Sequence, residues 1–229
     1  HYFACSEQAG RYLFGNKLFN ANKVTIINNA VDLDRLKFSQ ENRDLMKINL
    51  NIEDKFVVGH VGRLVEQKNQ SFLLDIFAEI VKKKENSILM ILGDGPLKGD
   101  LEDKAKKLEI LDKVLFLGAH HHTEHYYSAM DCTIFPSIYE GFLITLVESQ
   151  VQGLPSFITN TIPAESTVID ELVHRFSLSE SPSVLADLVL KNSISNTKRE
   201  NYYLRLKGSK YDIVEEGKKL TDLYIKLAR

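Results

Sequence analysis

Phe56-Val57-Val58-Gly59-His60-Val61-Gly62-Arg63-Leu64-Val65-Glu66-Gln67-Lys68-Asn69 reads as a buried strand, a cationic loop and the start of a helix. The run 56–61 is apolar in its middle rather than alternating, as expected of a strand covered on both faces. Gly62 follows at once, and a residue without Cβ lets a ligand come close to the backbone. Arg63 offers a planar fork for phosphate oxygens and Lys68 a mobile point charge. The spacing does not match a Walker loop, which needs a second glycine immediately before its lysine, and it lacks the G-x-G-x-x-G of dinucleotide binders. On spacing alone, phosphate-binding cations and ordinary surface charges beside a turn both stay open.

The same unit recurs along the chain. Strands are expected at Val24–Asn28, Phe56–Val61, Ile88–Leu92, Val114–Leu117, Cys132–Phe135 and Ser156–Thr159, and Tyr2–Cys5 also reads as one. Between them, Ser71–Lys84 carries Phe72, Leu73, Ile76, Phe77, Ile80 and Val81 on one helical stripe, and Leu97–Leu108 repeats Leu97, Leu101, Ala105 and Leu108. Strand–helix–strand units imply right-handed crossovers. The expected fold is therefore α/β, a Rossmann-like doubly wound parallel sheet with helices on both faces. Its ligands collect where loops leave the carboxyl ends of the strands. Tyr211–Arg229 forms a last amphipathic helix.

Composition narrows the function. Hydrophobic residues make up 44% of the 229, enough for a sizeable core. Twenty-nine basic residues against 31 acidic ones give a net charge of −2, which argues against a dedicated nucleic-acid binder. Cys5 and Cys132 form no C-x-x-C pair, the pattern of a reduced, cytoplasmic protein. No apolar run approaches the roughly 20 residues that span a bilayer, and no secretory signal is visible. The chain opens without methionine on what reads as a strand, so a fragment is expected.

The second informative loop is Pro136-Ser137-Ile138-Tyr139-Glu140-Gly141-Phe142-Leu143-Ile144-Thr145-Leu146-Val147-Glu148. A helix beginning near Leu143 would point free N–H groups and its dipole at an anion such as a diphosphate. Glu148, in the second turn, is placed to accept from two neighbouring hydroxyls of a ribose. Glu140 would face the far end of the ligand, the pair bracketing something on the order of 10 Å long at about 1.5 Å of rise per residue. The plainer alternative is an acidic cap followed by a solvated glutamate.

With these pieces assembled, the chain resembles retaining glycosyltransferases of family 4, especially those that build bacterial exopolysaccharides and capsules. The matching segments run in family order over about residues 24 to 165: Ile27–Asp32, Gly59–Lys68, Leu92–Leu97, Val114–Gly118, Asp131–Ser137, the two glutamates seven residues apart, and Gly153-Leu154-Pro155. The resemblance implies the two-Rossmann-domain (GT-B) architecture, with this chain as its carboxyl-terminal, donor-binding half. Residues 1–22 would be a remnant of the amino-terminal acceptor domain, 23–209 the nucleotide-sugar domain, and 210–229 a helix crossing back. It further implies that Arg63 and Lys68 hold the donor diphosphate, that Glu140 lies near the sugar and Glu148 on the ribose. Gly62, Gly141 and Ile144 would border the donor, with the amides of Phe142 and Leu143 meeting it at the helix start. Val114 and Gly118, beside Lys113 and with Gly95 nearby, would form the base pocket. Leu143 stands where the family usually has glycine or proline, which would narrow the sugar pocket.

The expected function is transfer of a sugar from a nucleoside-diphosphate sugar, UDP-linked by the polysaccharide resemblance, to a growing saccharide or lipid-linked acceptor. The acceptor would be held by the missing half, and the fragment alone is expected to be inactive. Configuration would be retained, Glu140 positioning rather than attacking, and no metal or other cofactor would be required. The full-length enzyme would work in the cytoplasm, peripherally at the membrane. A sugar-nucleotide epimerase and a non-catalytic nucleotide-binding or partner-docking module are the alternatives, since a fold does not fix a function. Among weaker signals, Asp32-Leu33-Asp34 reads as a turn and helix cap rather than a metal-binding D-x-D. His120-His121-His122 with Glu124 and His125 reads as a solvated loop before a short helix, and Cys132 as a buried, inert thiol.

Overall fold

The computed structural model describes residues 1–193 and 199–228, and its sequence pattern resolves into two parallel sheets. Strand β1 (Tyr2–Ala4), helix α1 (Glu7–Asn20) and strand β2 (Val24–Ile26) make a small unit in which β1 pairs only with β2. The expected strand Val24–Asn28 therefore forms in shortened form, but outside the large sheet. Two helices follow, α2 (Leu33–Leu36) and α3 (Gln40–Asn49). Asp32 caps α2 by accepting from the Arg35 amide at 3.0 Å, in line with the turn-and-cap reading.

The large domain then alternates: β3 (Phe56–Val61), α4 (Gln70–Lys83), β4 (Ser87–Leu92), α5 (Lys98–Lys107), β5 (Val114–Gly118), α6 (Thr123–Ala129), β6 (Cys132–Phe135), α7 (Ile144–Val151), β7 (Ser156–Thr159), β8 (Val173–Phe176) and α8 (Pro182–Asn192). Every pairing is parallel and the strand order is β5-β4-β3-β6-β7-β8. The order reverses between β3 and β6, so their exit loops diverge and leave a crevice, the usual ligand position in such sheets. Helix α9 (Ile213–Leu227) ends the described chain, and Arg229 of the expected final helix lies outside it.

Both faces of β3 are buried. Val58 joins the core under α4 and α8 with Leu73, Phe77, Leu89, Phe157 and Leu185, while Val57 and Val61 join Met90, Tyr127 and Met130 under α3 and α6. Gly59 is required by this packing, because a Cβ there would lie 2.0 Å from Met130 Sδ. Cys132 is fully buried and its thiol is pushed up to about 12, chiefly by burial. Helix α9 returns to the start of the chain: the Asn28 amide donates to Glu216 Oε2 at 3.1 Å, and Val31 exchanges backbone bonds with Tyr211 and Ile213.

Candidate functional site

The loop leaving β3 is pressed from the side by the loop leaving β4. A Cβ on Gly93, whose φ is +138°, would lie 2.0 Å from the Gly62 carbonyl oxygen, and one on Gly95 would lie 2.4 Å from that of Leu64. Gly62 donates to the Leu92 carbonyl at 2.9 Å, a single 3-10 turn spans Glu66–Lys68, and Asn69 turns through the left-handed region into α4. Beneath this loop lies His60, with no solvent exposure. Gln70 Nε2 donates both to the Arg63 carbonyl, at 2.9 Å, and to His60 Nε2, at 3.1 Å. His60 must then donate through Nδ1 to the Ile134 carbonyl, at 2.8 Å, which fixes a neutral tautomer. Burial holds its pKa down at about 4. His60 thus ties β3, β6 and the first turn of α4 together directly under the cationic loop. Sequence pattern gave no sign of this role, since a polar residue in a buried strand carries no spacing signature.

On top of that support the charged residues are displayed unequally. Arg63 is exposed, and its guanidinium meets no partner among the described residues. Lys68 Nζ lies 2.6 Å from Glu140 Oε1, and the Glu140 side chain is only 5% exposed. Gln67 donates from Nε2 to Glu140 Oε2 at 3.2 Å and to the Tyr139 carbonyl at 3.0 Å, while its own carbonyl accepts from Ile138 at 2.8 Å. The exit loops of β3 and β6 are therefore latched across the crevice. Lys68 and Glu140, expected at different parts of a ligand, are in direct contact.

Past the latch, Gly141 is open and Phe142 half-buried. Gly141 and Phe142 line a groove of about 480 Å³ with Cys5, Ser6, Tyr12 and Asn29, and Phe142 and Ile144 line one of about 460 Å³ that reaches α9. At the start of α7 the amides of Ile144 and Thr145 have no protein partner among the described residues, and Thr145 Oγ1 is buried without one. Leu143 departs from expectation. Its amide already donates to Ser166 Oγ at 2.9 Å, and its side chain packs among Phe135, Leu146, Ile158 and Ile162. Leu143 therefore neither presents an amide to a ligand nor narrows a pocket.

Glu148 sits one turn into α7. Tyr127, fully buried on α6, donates to Glu148 Oε2 at 3.0 Å. The Glu148 carboxyl is raised above the usual range mainly by burial. The Tyr127 bond and the Arg35 charge oppose the rise, and the Glu124 charge adds to it. Of the expected base-pocket residues, Gly95 and Gly118 lie at carboxyl ends, Gly118 at φ +75° bonding back to the Gly93 amide at 2.7 Å. Val114 does not belong there. It opens β5, pairs with Leu89 and is buried in the core at the amino end of the sheet, with Lys113 beside it reaching the Glu85 carbonyl. At about 3.3 Å per residue it lies some four steps from the loop end.

No helix among the described residues is long and apolar enough to cross a membrane. The family model described as "Glycosyl transferases group 1" matches residues 41–205. EpsF of Bacillus subtilis (strain 168), named as a glycosyltransferase, is 34% identical over 223 residues, covering 96% of this chain and 58% of the relative. The Escherichia coli UDP-Gal:alpha-D-GlcNAc-diphosphoundecaprenol alpha-1,3-galactosyltransferase is 27% identical over 211 residues, covering 89% of this chain and 54% of its own. The chain thus spans little more than half the length of these relatives. Among solved structures, Anabaena Alr3699/HepE in complex with UDP-glucose superposes with a TM-score of 0.79 at 20% identity, over 98% of this chain and 63% of that one, a likeness of fold. By the family match, this chain belongs to the group 1 glycosyl transferases.

Proposed function

We propose that the chain binds the nucleoside diphosphate of a sugar donor, UDP-linked, and acts as the donor-binding half of a retaining glycosyltransferase that serves a saccharide or lipid-linked acceptor. The observation that carries this reading is the set of unmatched donors at the sheet's reversal point. Among the described residues, Arg63 has no counter-charge and the first amides of α7 have no acceptor, at the exit loops of adjacent strands. A diphosphate supplies what both lack. The name of the Escherichia coli relative, which uses UDP-Gal and a diphosphoundecaprenol-linked acceptor, supports the same chemistry.

Breaking the bond between anomeric carbon and diphosphate builds negative charge on the leaving group. Preorganised donors there lower the barrier, by about 2.7–4 kcal/mol for a single well-placed one. Arg63, Lys68 and the amides of Ile144 and Thr145 would do this without a metal ion. Lys68 enters the reaction already oriented by Glu140, and Glu140 in turn lies where it can position the sugar. Glu148 accepts from the ribose hydroxyls, and the Gly95 and Gly118 loops flank the base. Acceptor attack from the leaving-group face gives retention. The acceptor-binding residues belong to the remainder of the enzyme, which would work at the cytoplasmic face of the membrane.

Calorimetric titration with UDP-glucose, UDP, another nucleoside diphosphate and uridine tests the reading. UDP should bind at least about 100-fold more tightly than uridine, since two charge-assisted contacts are each worth about 1.5–3 kcal/mol. Equal affinities for UDP and uridine would remove the basis of the proposal.

A further inference from the structure

His122, Glu124 and His125 each place one donor atom within 4.8 Å of the others. A solvated loop was expected here, and the two imidazoles do face solvent, with side chains 75% and 42% exposed. The Glu124 side chain between them is 7% exposed. Its Oε1 lies 2.9 Å from His122 Nδ1 and 3.7 Å from His125 Nε2. Two ligands at about 2.1 Å from a tetrahedral ion stand about 3.4 Å apart, so these separations straddle what an ion requires. Among the described residues Glu124 Oε2 is buried without a hydrogen-bond partner. Arg35 Nη1 lies 3.7 Å from it and donates to the His121 carbonyl at 3.3 Å.

We propose that His122 Nδ1, the Glu124 carboxylate and His125 Nε2 form a binding site for a divalent cation of the zinc class. Two imidazoles and one carboxylate make a donor set suited to zinc and its neighbours, whereas magnesium and calcium call for six or more oxygens. The fourth position faces solvent between the exposed rings. A bound ion would gather the two imidazoles and Glu124 Oε1 onto one centre, and would tie the 120–122 loop to α6. That helix is otherwise braced through the Glu124 carbonyl, which accepts from Ser128 Oγ at 3.0 Å and Gln152 Nε2 at 3.2 Å. None of the three ligands belongs to the proposed diphosphate site, so the two proposals stand or fall separately.

The test is calorimetric titration of the 229-residue chain, without a histidine tag, with zinc chloride and separately with magnesium chloride. One zinc should bind per chain, magnesium should not, and zinc should raise the melting temperature. Zinc affinity should fall by more than about tenfold in Glu124→Gln and in His125→Ala, and stay unchanged in a His120→Ala, His121→Ala double variant. Because His125 is half-exposed, its substitution keeps the test valid if Glu124→Gln does not fold. Absence of zinc binding, undiminished binding in His125→Ala, or loss in the double variant would each overturn the assignment.

Discussion

The two ends of the parallel sheet use the same residue types to opposite effect. At the amino end, Arg43 donates to the carbonyls of Ser128, Ala129 and Met130 and pairs with Asp131 at 2.5 Å. Arg199 donates to the carbonyls of Tyr127, Ser128, Met130 and Gln152, and Asp131 accepts from the Val57 amide at 2.7 Å. Both guanidiniums close the end of α6, each tied to several backbone carbonyls there. At the carboxyl end, among the described residues, Arg63 is unpartnered, Lys68 has one carboxylate, and the amides of Ile144 and Thr145 are free. Cations bonded into the backbone are fastenings; cations left open on a rigid floor form the candidate site. The difference lies in the partners rather than in the residues.

The comparison can be broken most severely at its saturated end. Arg199→Ala should take one donor from each of four buried carbonyls, leaving Arg43 on only two of them, and cost about 3–5 kcal/mol in urea unfolding, while UDP affinity of the folded protein stays within about twofold. A large affinity loss at full stability would reverse the two roles. Acid should expose the floor of the site next. His60 stays neutral when folded until about pH 4, whereas in the unfolded chain it protonates near 6.5. The unfolded state therefore binds more protons between these values, and stability should fall by about 3 kcal/mol as pH drops through that window. His60→Gln should flatten that part of the profile, and an unchanged profile would place the acid sensitivity elsewhere.

At the unsaturated end the expected effects are on binding. Arg63→Ala should weaken UDP about 10- to 100-fold, the loss of one charge-assisted contact, and leave stability within about 0.5 kcal/mol. A destabilised but fully binding variant would contradict the contrast. The smallest effect belongs to Tyr127→Phe, about 1 kcal/mol in stability. Its hydrogen bond lowers the Glu148 pKa, so its loss should raise that pKa further. On the proposed reading the ionised form accepts the ribose hydroxyls, so UDP binding should be lost as pH falls through the Glu148 pKa, and that limb should move to higher pH in the variant.

How much of this was legible depended on whether a feature is local. Strands β3, β4, β6 and β7 were readable because burial on both faces leaves continuous apolar runs. Strand β8 was not, because it is an edge strand carrying His174 and Arg175. Helix α8, absent from the expected elements, does carry local signals, a Ser181 cap and Pro182 ahead of Leu185, Ala186 and Val189. Val24–Ile26 read correctly as a strand, but periodicity cannot say which sheet a strand joins. Glycine and helix-start signals alone place Arg63, Lys68 and Glu140 on the loops leaving β3 and β6. The Lys68–Glu140 contact could not be foreseen, because nothing local couples residues 72 apart in the chain. Leu143 and Val114 failed for the same reason. Ser166 takes the Leu143 amide from 23 residues away, and a motif match does not say which end of a strand faces the crevice.

The most direct check is calorimetric UDP titration of a chain carrying Arg63→Ala with Lys68→Ala and Glu140→Gln, the last to avoid stranding a buried carboxylate. Lys98→Ala with Lys106→Ala, on the solvent side of α5, serves as the control. The account predicts at least about a 100-fold loss of affinity in the first protein and none in the second. Retention of wild-type affinity by the first, in a chain that still melts cooperatively, would contradict it.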